Sequence, residues 1–269
     1  MLKTRIILLG VSVTAIVVLF LLPRVVVEND QMVSGGPSDS VAQQIEMHAA
    51  VPPEMAEQIR ILRASYSADS RNEKNAIFAD SLAGLYSQAG KFDSSAWFAE
   101  EATKFFNNTE SRIKAGDSYY QAYSFALDPT RQAYFAGKAQ SFYNMVLETA
   151  PDNLDVKTKL AMTYLTDANP MKAITTLREV LAEDPQNKTA LYNMGMLSIQ
   201  SGQYDKAIER LEKLVQIDTE NTQAHLMLGV AYMNGGSKRK AKEQFEKVKQ
   251  LDNDPSVQAT ADSYLKDLK

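Results

Sequence analysis

The run His225-Leu226-Met227-Leu228-Gly229-Val230-Ala231-Tyr232, followed eight residues later by Ala241-Lys242-Glu243-Gln244-Phe245, decides the fold of this chain. Its second part recurs at intervals of 34 residues: one column holds Ala139, Ala173, Ala207 and Ala241, each preceded by a lysine (Lys138, Lys172, Lys206, Lys240). Four residues on, the column reads Tyr143, Leu177, Leu211 and Phe245, and three beyond that Val146, Val180, Leu214 and Val248. Offsets of four and seven lie on one face of an α-helix. A small, a large and a branched residue repeated at a fixed interval imply one supersecondary unit stacked several times, in which no unit shelters its own apolar face. Asn153, Asn187 and Asn221 keep the same interval. Each stands just ahead of an apolar-periodic run, where its side chain can accept a backbone N–H and start a helix.

The quoted run supplies the other helix of the unit. His225-x2-Leu228-Gly229-x2-Tyr232 and then Ala241-x3-Phe245 resemble the tetratricopeptide repeat, a 34-residue helix–turn–helix with W-x2-L-G-x2-Y, then A-x3-F, then P. His225 stands where that pattern has Trp. Earlier units read Leu191-x2-Met194-Gly195-x2-Ser198 with Ala207-x3-Leu211, and Leu160-Ala161-x2-Tyr164 with Ala173-x3-Leu177 and Pro185. The resemblance covers residues 72–255 and implies an all-α fold: a right-handed α-solenoid of about five helix–turn–helix units, 72–108, 109–153, 154–187, 188–221 and 222–255. Asp254-Pro255 would then open a C-terminal capping helix over 256–269.

Glycine inside a helix costs about 1 kcal/mol relative to alanine. At Gly195 and Gly229 a close approach of the unit's second helix is therefore expected, with Ala173, Ala207 and Ala241 as the facing small residues. Two units depart from the pattern. In the first, Ser95 and Ala99 take the small and large positions. In the second, Ala115-Gly116-x2-Tyr119 stands about ten residues too far from Ala139, so Asp128-Pro129 is expected to open a lengthened helix. This long hairpin gathers Tyr119, Tyr120, Tyr123, Phe125, Tyr134, Phe135, Phe142 and Tyr143, which reads as core, with some of it exposed where the hairpin projects.

Upstream, between Ile6 and Leu22, seventeen residues carry no charge and thirteen are Ile, Leu, Val or Phe. At about −0.3 to −0.6 kcal/mol each, these favour insertion into a bilayer. Two readings compete, a cleaved secretory signal and an uncleaved anchor in which residues 1–27 comprise a cytoplasmic N-terminus and a transmembrane helix. The run exceeds the roughly 7–15 residues of a signal, and no small-x-small site follows closely, which favours the anchor. Lys3 and Arg5 precede the segment, while Glu28 and Asp30 follow it. The positive-inside rule then puts the N-terminus in the cytoplasm and the repeats on the extracytoplasmic, periplasmic side of the inner membrane. Residues 28–52, with Ser34-Gly35-Gly36-Pro37-Ser38-Asp39-Ser40, read as a flexible linker spanning about 25–30 Å. Residues 53–71 read as a helix that opens the stack, its apolar stripe formed by Met55, Ile59, Leu62 and Tyr66. Ser70 and Glu73 have capping-box spacing.

Composition excludes several classes of function. With 29 basic against 33 acidic residues, a formal charge of −4, the chain lacks the basic surface by which proteins bind nucleic acid. Absence of cysteine removes disulfides, thiolate metal sites and cysteine nucleophiles together. His48 and His225 are the only histidines; a metal site needs several ligands in reach, so His48 reads as solvent-exposed, and His225, without a matching acid or nucleophile, reads as a packing residue. Gly84 to Gly90-Lys91 resembles a phosphate loop, but five residues separate the glycines and no Ser or Thr follows the lysine. The reading is non-enzymatic, with no catalytic group, metal or cofactor.

In the family, the first helices of successive units line a concave groove. That resemblance carries over to Thr158, Met162 and Leu165, to Tyr192, Met196 and Ile199, and to Leu226, Val230 and Met233. Such a lining suits adaptable apolar recognition of a helical or extended protein segment. Of the lysines and asparagines that clamp carboxylates in relatives, Lys159 and Asn193 alone fall near the required places. The groove's cover is either a protein or peptide partner, the chain's own linker or residues 41–66, or a second copy in a homo-oligomer. The expected function is a membrane-anchored scaffold or adaptor with a chaperone-like role in envelope assembly or export. The alternative is a regulatory or substrate-binding subunit of an enzyme complex.

Overall fold

The computed structural model describes residues 51–68, 73–166 and 171–268, and every regular element among them is helical. Twelve α-helices follow in order: Pro53–Ala68 (α1), Glu73–Gln88 (α2), Phe92–Thr103 (α3), Thr109–Phe125 (α4), Pro129–Thr149 (α5), Leu154–Thr163 (α6), Met171–Glu183 (α7), Lys188–Gln200 (α8), Tyr204–Ile217 (α9), Thr222–Asn234 (α10), Lys238–Leu251 (α11) and Pro255–Asp267 (α12). A single 3-10 turn, Tyr164–Thr166, follows α6. None of these helices is long and apolar enough to cross a membrane. The segment 6–22, the linker up to residue 50 and the Ser70 cap lie outside the described residues.

The helix boundaries have local causes. Asn153, Asn187 and Asn221 each accept the backbone N–H three residues on, from Val156, Ala190 and Ala224, at 3.1, 3.0 and 2.9 Å. Each cap satisfies one of the donors a helix start leaves unpaired, an effect worth about 1 kcal/mol. At the other end, α2, α8 and α10 run into Gly90, Gly202 and Gly236, whose φ values are 69°, 70° and 81°. The residue after each glycine returns its N–H to a helix carbonyl: Lys91 to Tyr86, Gln203 to Ser198 and Ser237 to Tyr232, all at 2.8 Å. This left-handed turn is open to glycine without a Cβ penalty, and it reverses the chain within a few residues.

Each helix packs on the one before and the one after it, and α6, α8 and α10 also touch in succession. The apolar residues form three consecutive clusters along the stack, from Ile59 to Ala173, from Ala161 to Met194 and from Leu191 to Phe245. The alanine, large and branched columns of α7, α9 and α11 are fully buried. Burying a side chain such as Leu211 contributes about 1.5–3 kcal/mol, so these columns carry much of the stability.

The partner of the helical glycines differs from expectation. A Cβ on Gly195 would lie 2.7 Å from Leu211, one on Gly229 2.5 Å from Phe245, and one on Gly116 2.7 Å from Tyr143. The glycine therefore receives the large residue of its own unit's second helix, and the alanine four residues earlier is not the facing group. The large side chain fills the space within the hairpin, where the absence of a Cβ leaves room for it.

The second unit is lengthened at its turn. Helix α4 has 17 residues and α5 has 21, against 13 and 14 in α10 and α11. Asp128 caps α5 by accepting the Arg131 N–H at 2.8 Å, with Pro129 in the first turn. In the first unit, the Ser95 hydroxyl donates to the Ala83 carbonyl at 2.8 Å. Ala99 occupies the position of the large residue, opposite a helix in which Ala83 stands in place of the glycine.

Candidate functional site

The residues expected to line a groove lie on α6, α8 and α10 or just beyond α6, in register because the three asparagine caps start those helices alike. On α8 and α10, Tyr192, Met196, Ile199, Leu226, Val230 and Met233 are half-buried. Their neighbours one helical face away, Leu191, Met194, Leu228 and Tyr232, are buried in the core. These six residues thus anchor one side in the stack and leave part of their apolar surface to solvent. No charged side chain interrupts them: Thr189, Asn193, Gln200, Gln223 and Asn234 are the polar residues alongside.

Helix α6 does not continue this column as expected. Thr158 is fully buried, its hydroxyl donating to the Leu154 carbonyl at 2.7 Å. Met162 is only 6% exposed and belongs to the core. Helix α4 is the cause, since Tyr120 packs on the cluster containing Met162, and the hydroxyl of Tyr123, in the added turn, donates to the Met162 carbonyl at 3.3 Å. Leu165 falls in the 3-10 turn and is half-buried between two clusters. The apolar face available to another molecule is therefore that of α8 and α10, bordered by Leu165.

Toward the N-terminus the same side turns polar. Lys159 bridges Asp117 and Asp155 at 3.0 and 2.9 Å, and Asp117 also accepts the Tyr143 hydroxyl at 2.8 Å. Burial works against the charge on Lys159, but its hydrogen bonds to Asp155 and Asp117 outweigh that and hold the ammonium above the usual lysine range. Burial, and then Asp117, push the Tyr143 phenol upward. With both carboxylates on Lys159 and Asn193 buried, this pair makes no carboxylate clamp. One unit earlier, Lys114 pairs with Asp80 at 3.2 Å. Beside them lies a cleft of about 200 Å³ floored by Ala99, Ala102 and Phe106.

Sequence reasoning missed these carboxylate and lysine groups. A signal was available, because Asp80 and Lys114, like Ser87 and Gln121, are 34 residues apart and meet across successive first helices. His225 is 7% exposed, with its ring nitrogens 2.7 Å from the Gln244 side-chain oxygen and 3.1 Å from the Thr219 carbonyl. It holds α10 to its surroundings. His48 lies outside the described residues.

Comparison with known proteins bears on the fold. Residues 167–214 and 198–261 match the tetratricopeptide repeat family model. Among solved structures, the chain is similar to TTC0263, a thermophilic tetratricopeptide repeat protein of Thermus thermophilus. The two are 15% identical with a TM-score of 0.56, over 71% of this chain and 98% of that one. It is also similar to MamA (41-end) of Desulfovibrio magneticus RS-1, 20% identical over 67% of this chain and 96% of that one, with a TM-score of 0.48. YrrB, described as a tetratricopeptide protein with an unusual peptide-binding site, is 18% identical over 80% and 100%, with a TM-score of 0.44. No curated protein matches the sequence. The chain thus carries tetratricopeptide repeats within residues 167–261, and its all-helical stack has the fold of such proteins.

Proposed function

We propose that this protein is a non-enzymatic scaffold or adaptor that holds a segment of another protein against the apolar face of α8 and α10. The observation that carries this reading is the row of half-buried, uncharged side chains from Tyr192 to Met233. Their helices' opposite faces are committed to the core. An apolar surface that packing among the described residues does not consume marks an interaction site. Two methionines in it allow the surface to adapt to the partner's shape. The charged Asp117–Lys159–Asp155 group at one end sets a polar boundary.

The segment at residues 6–22 supports an anchored protein with its repeats on the extracytoplasmic side, where it would serve envelope assembly or export. Single cysteines at Ser38 and Glu220 should react with an impermeant thiol reagent in intact cells. Protection of both would reverse the sidedness.

Met196→Glu combined with Met233→Glu tests the groove itself. Both residues are half-buried, so folding should survive, as read by the helical circular-dichroism spectrum. Partners crosslinked through a photoreactive residue at position 230 should be lost. Retention of the same crosslinked partners by the folded double variant sinks the groove reading.

A further inference from the structure

Successive helices alternate in direction, so the stack has two edges. One is formed by the turns within units, the other by the connections between units. The Tyr66 hydroxyl near the end of α1 donates to Glu101 near the end of α3 at 3.1 Å, so α1 and α3 run together, opposite to α2. The start of α1, with Val51 packed on the core, therefore lies at the edge where α2 ends. Phe92, the first residue of α3, stacks on Phe125, the last of α4, with ring centroids 4.4 Å apart. The tip of the long hairpin thus shares that edge.

This edge carries two features that the groove reading leaves unused. Large apolar side chains stand out from it: Leu127 is 91% exposed, Phe125 63% and Met171, at the start of α7, 52%. Among the described residues, Lys91, Arg131, Lys172, Lys206, Lys238 and Arg239 share this edge with Glu54, Asp93, Asp128, Asp205 and Asp267, Arg131 being paired with Asp93. The opposite edge is acidic, with Asp152, Asp184, Asp218, Glu220, Asp252 and Asp254 in its connections. Protruding apolar tips without a surrounding pocket suit a surface that deforms around them. A lipid interface does so, and anionic headgroups attract the flanking cations. The chain also enters its helical unit on this edge, downstream of the uncharged run at residues 6–22.

We propose that the edge formed by the Gly90, Gly202 and Gly236 turns and the Phe125–Leu127 tip rests on an anionic lipid surface, with Leu127 and Phe125 reaching into the interfacial layer. The proposal shares with the anchored reading only the presence of a bilayer, and it is independent of the groove.

The full chain contains no cysteine, so Leu127→Cys and Glu220→Cys each accept one environment-sensitive fluorophore. Both positions are exposed, and unchanged circular dichroism checks folding. The labelled chains are reconstituted with vesicles of phosphatidylcholine, alone or mixed with phosphatidylglycerol. With phosphatidylglycerol present, the label at position 127 should shift to the blue and be quenched by spin-labelled lipid, while that at 220 keeps its aqueous spectrum. Combining Lys172→Glu, Lys206→Glu and Lys238→Glu should return position 127 to the aqueous spectrum. A chain that floats with both vesicle types while position 127 stays aqueous retains the anchor and overturns this proposal. A chain that fails to float removes the anchor, and the spectrum at 127 with added anionic vesicles still decides the edge. A label that is aqueous with every vesicle but crosslinks to a protein in cells assigns the tip to a protein partner and likewise overturns it.

Discussion

The units α2–α5 and α8–α11 build the same helical hairpins by different means. In the later pair, Gly195 and Gly229 receive Leu211 and Phe245, and the turns close on Gly202 and Gly236. Polar contacts such as His225–Gln244 and Tyr232–Glu212 accompany this packing. In the earlier pair only α4–α5 has such a contact, Gly116 receiving Tyr143, and polar hydrogen bonds tie an aromatic mass together. Tyr86 stacks on Phe98 with centroids 5.4 Å apart, and Tyr66 and Trp97 meet the same ring edge-on. The Tyr119 hydroxyl donates to Glu100, and Tyr143 to Asp117. A large side chain under a glycine needs one fixed spacing, whereas rings with polar tips can meet from several positions. The polar-tipped rings therefore tolerate a missing large residue in the first unit, while the inserted turn of the second leaves its Gly116–Tyr143 contact in place.

The largest effect that would sharpen this contrast is expected from Phe245→Ala. It should cost about 3–5 kcal/mol, because the ring is fully buried between Gly229 and Tyr264. Hydrogen exchange should accelerate across α10 to α12. The fluorescence transition of Trp97, the only tryptophan, should move little, since a stacked repeat chiefly feels its neighbours. A smaller loss is expected from Gly229→Ala, about 1–3 kcal/mol of overpacking less roughly 1 kcal/mol of helix propensity. Thermal melting checks it. Gly116→Ala, facing Tyr143, should lose as Gly229→Ala does, whereas away from that contact the sign is expected to reverse. Ala99→Leu, extending into the cleft of about 200 Å³ that Ala99 lines, should stabilise by about 0.5–2 kcal/mol as a cavity-filling change. Trp97 lies on the same helix and reports it. Gly84→Ala meets nothing within 4 Å and should gain about 0.5–1 kcal/mol. A loss at either position would mean that the two regions obey one rule after all.

Legibility in the sequence follows the same division. The asparagine caps, the buried columns and the long hairpin opened by Asp128-Pro129 were readable because each rests on a local rule at a fixed interval. The family-model matches likewise fall within 167–261, the part held by geometry. The glycine's true neighbour was not readable, because helix periodicity says which residues share a face and not which of them reaches furthest across the crossing. Met162 shows the same limit for the site. Its spacing repeats that of Met196, yet Tyr120 packs on its cluster and Tyr123, in the inserted turn of α4, donates to its carbonyl. The Asp117–Lys159–Asp155 group was hidden for a related reason, since its members come from different helices and only packing brings them together. The column on α8 and α10 was legible because both units keep the 34-residue interval without insertion.

In each regular hairpin the glycine and the large residue of one unit act as a single contact. A double-mutant cycle at Gly229 and Phe245, using Gly229→Ala and Phe245→Val and read by chemical denaturation, measures that contact directly. The predicted result is a coupling of about 1 kcal/mol or more, with alanine at 229 tolerated or favourable once the ring is gone. Additivity of the two substitutions to within about 0.3–0.5 kcal/mol would contradict it.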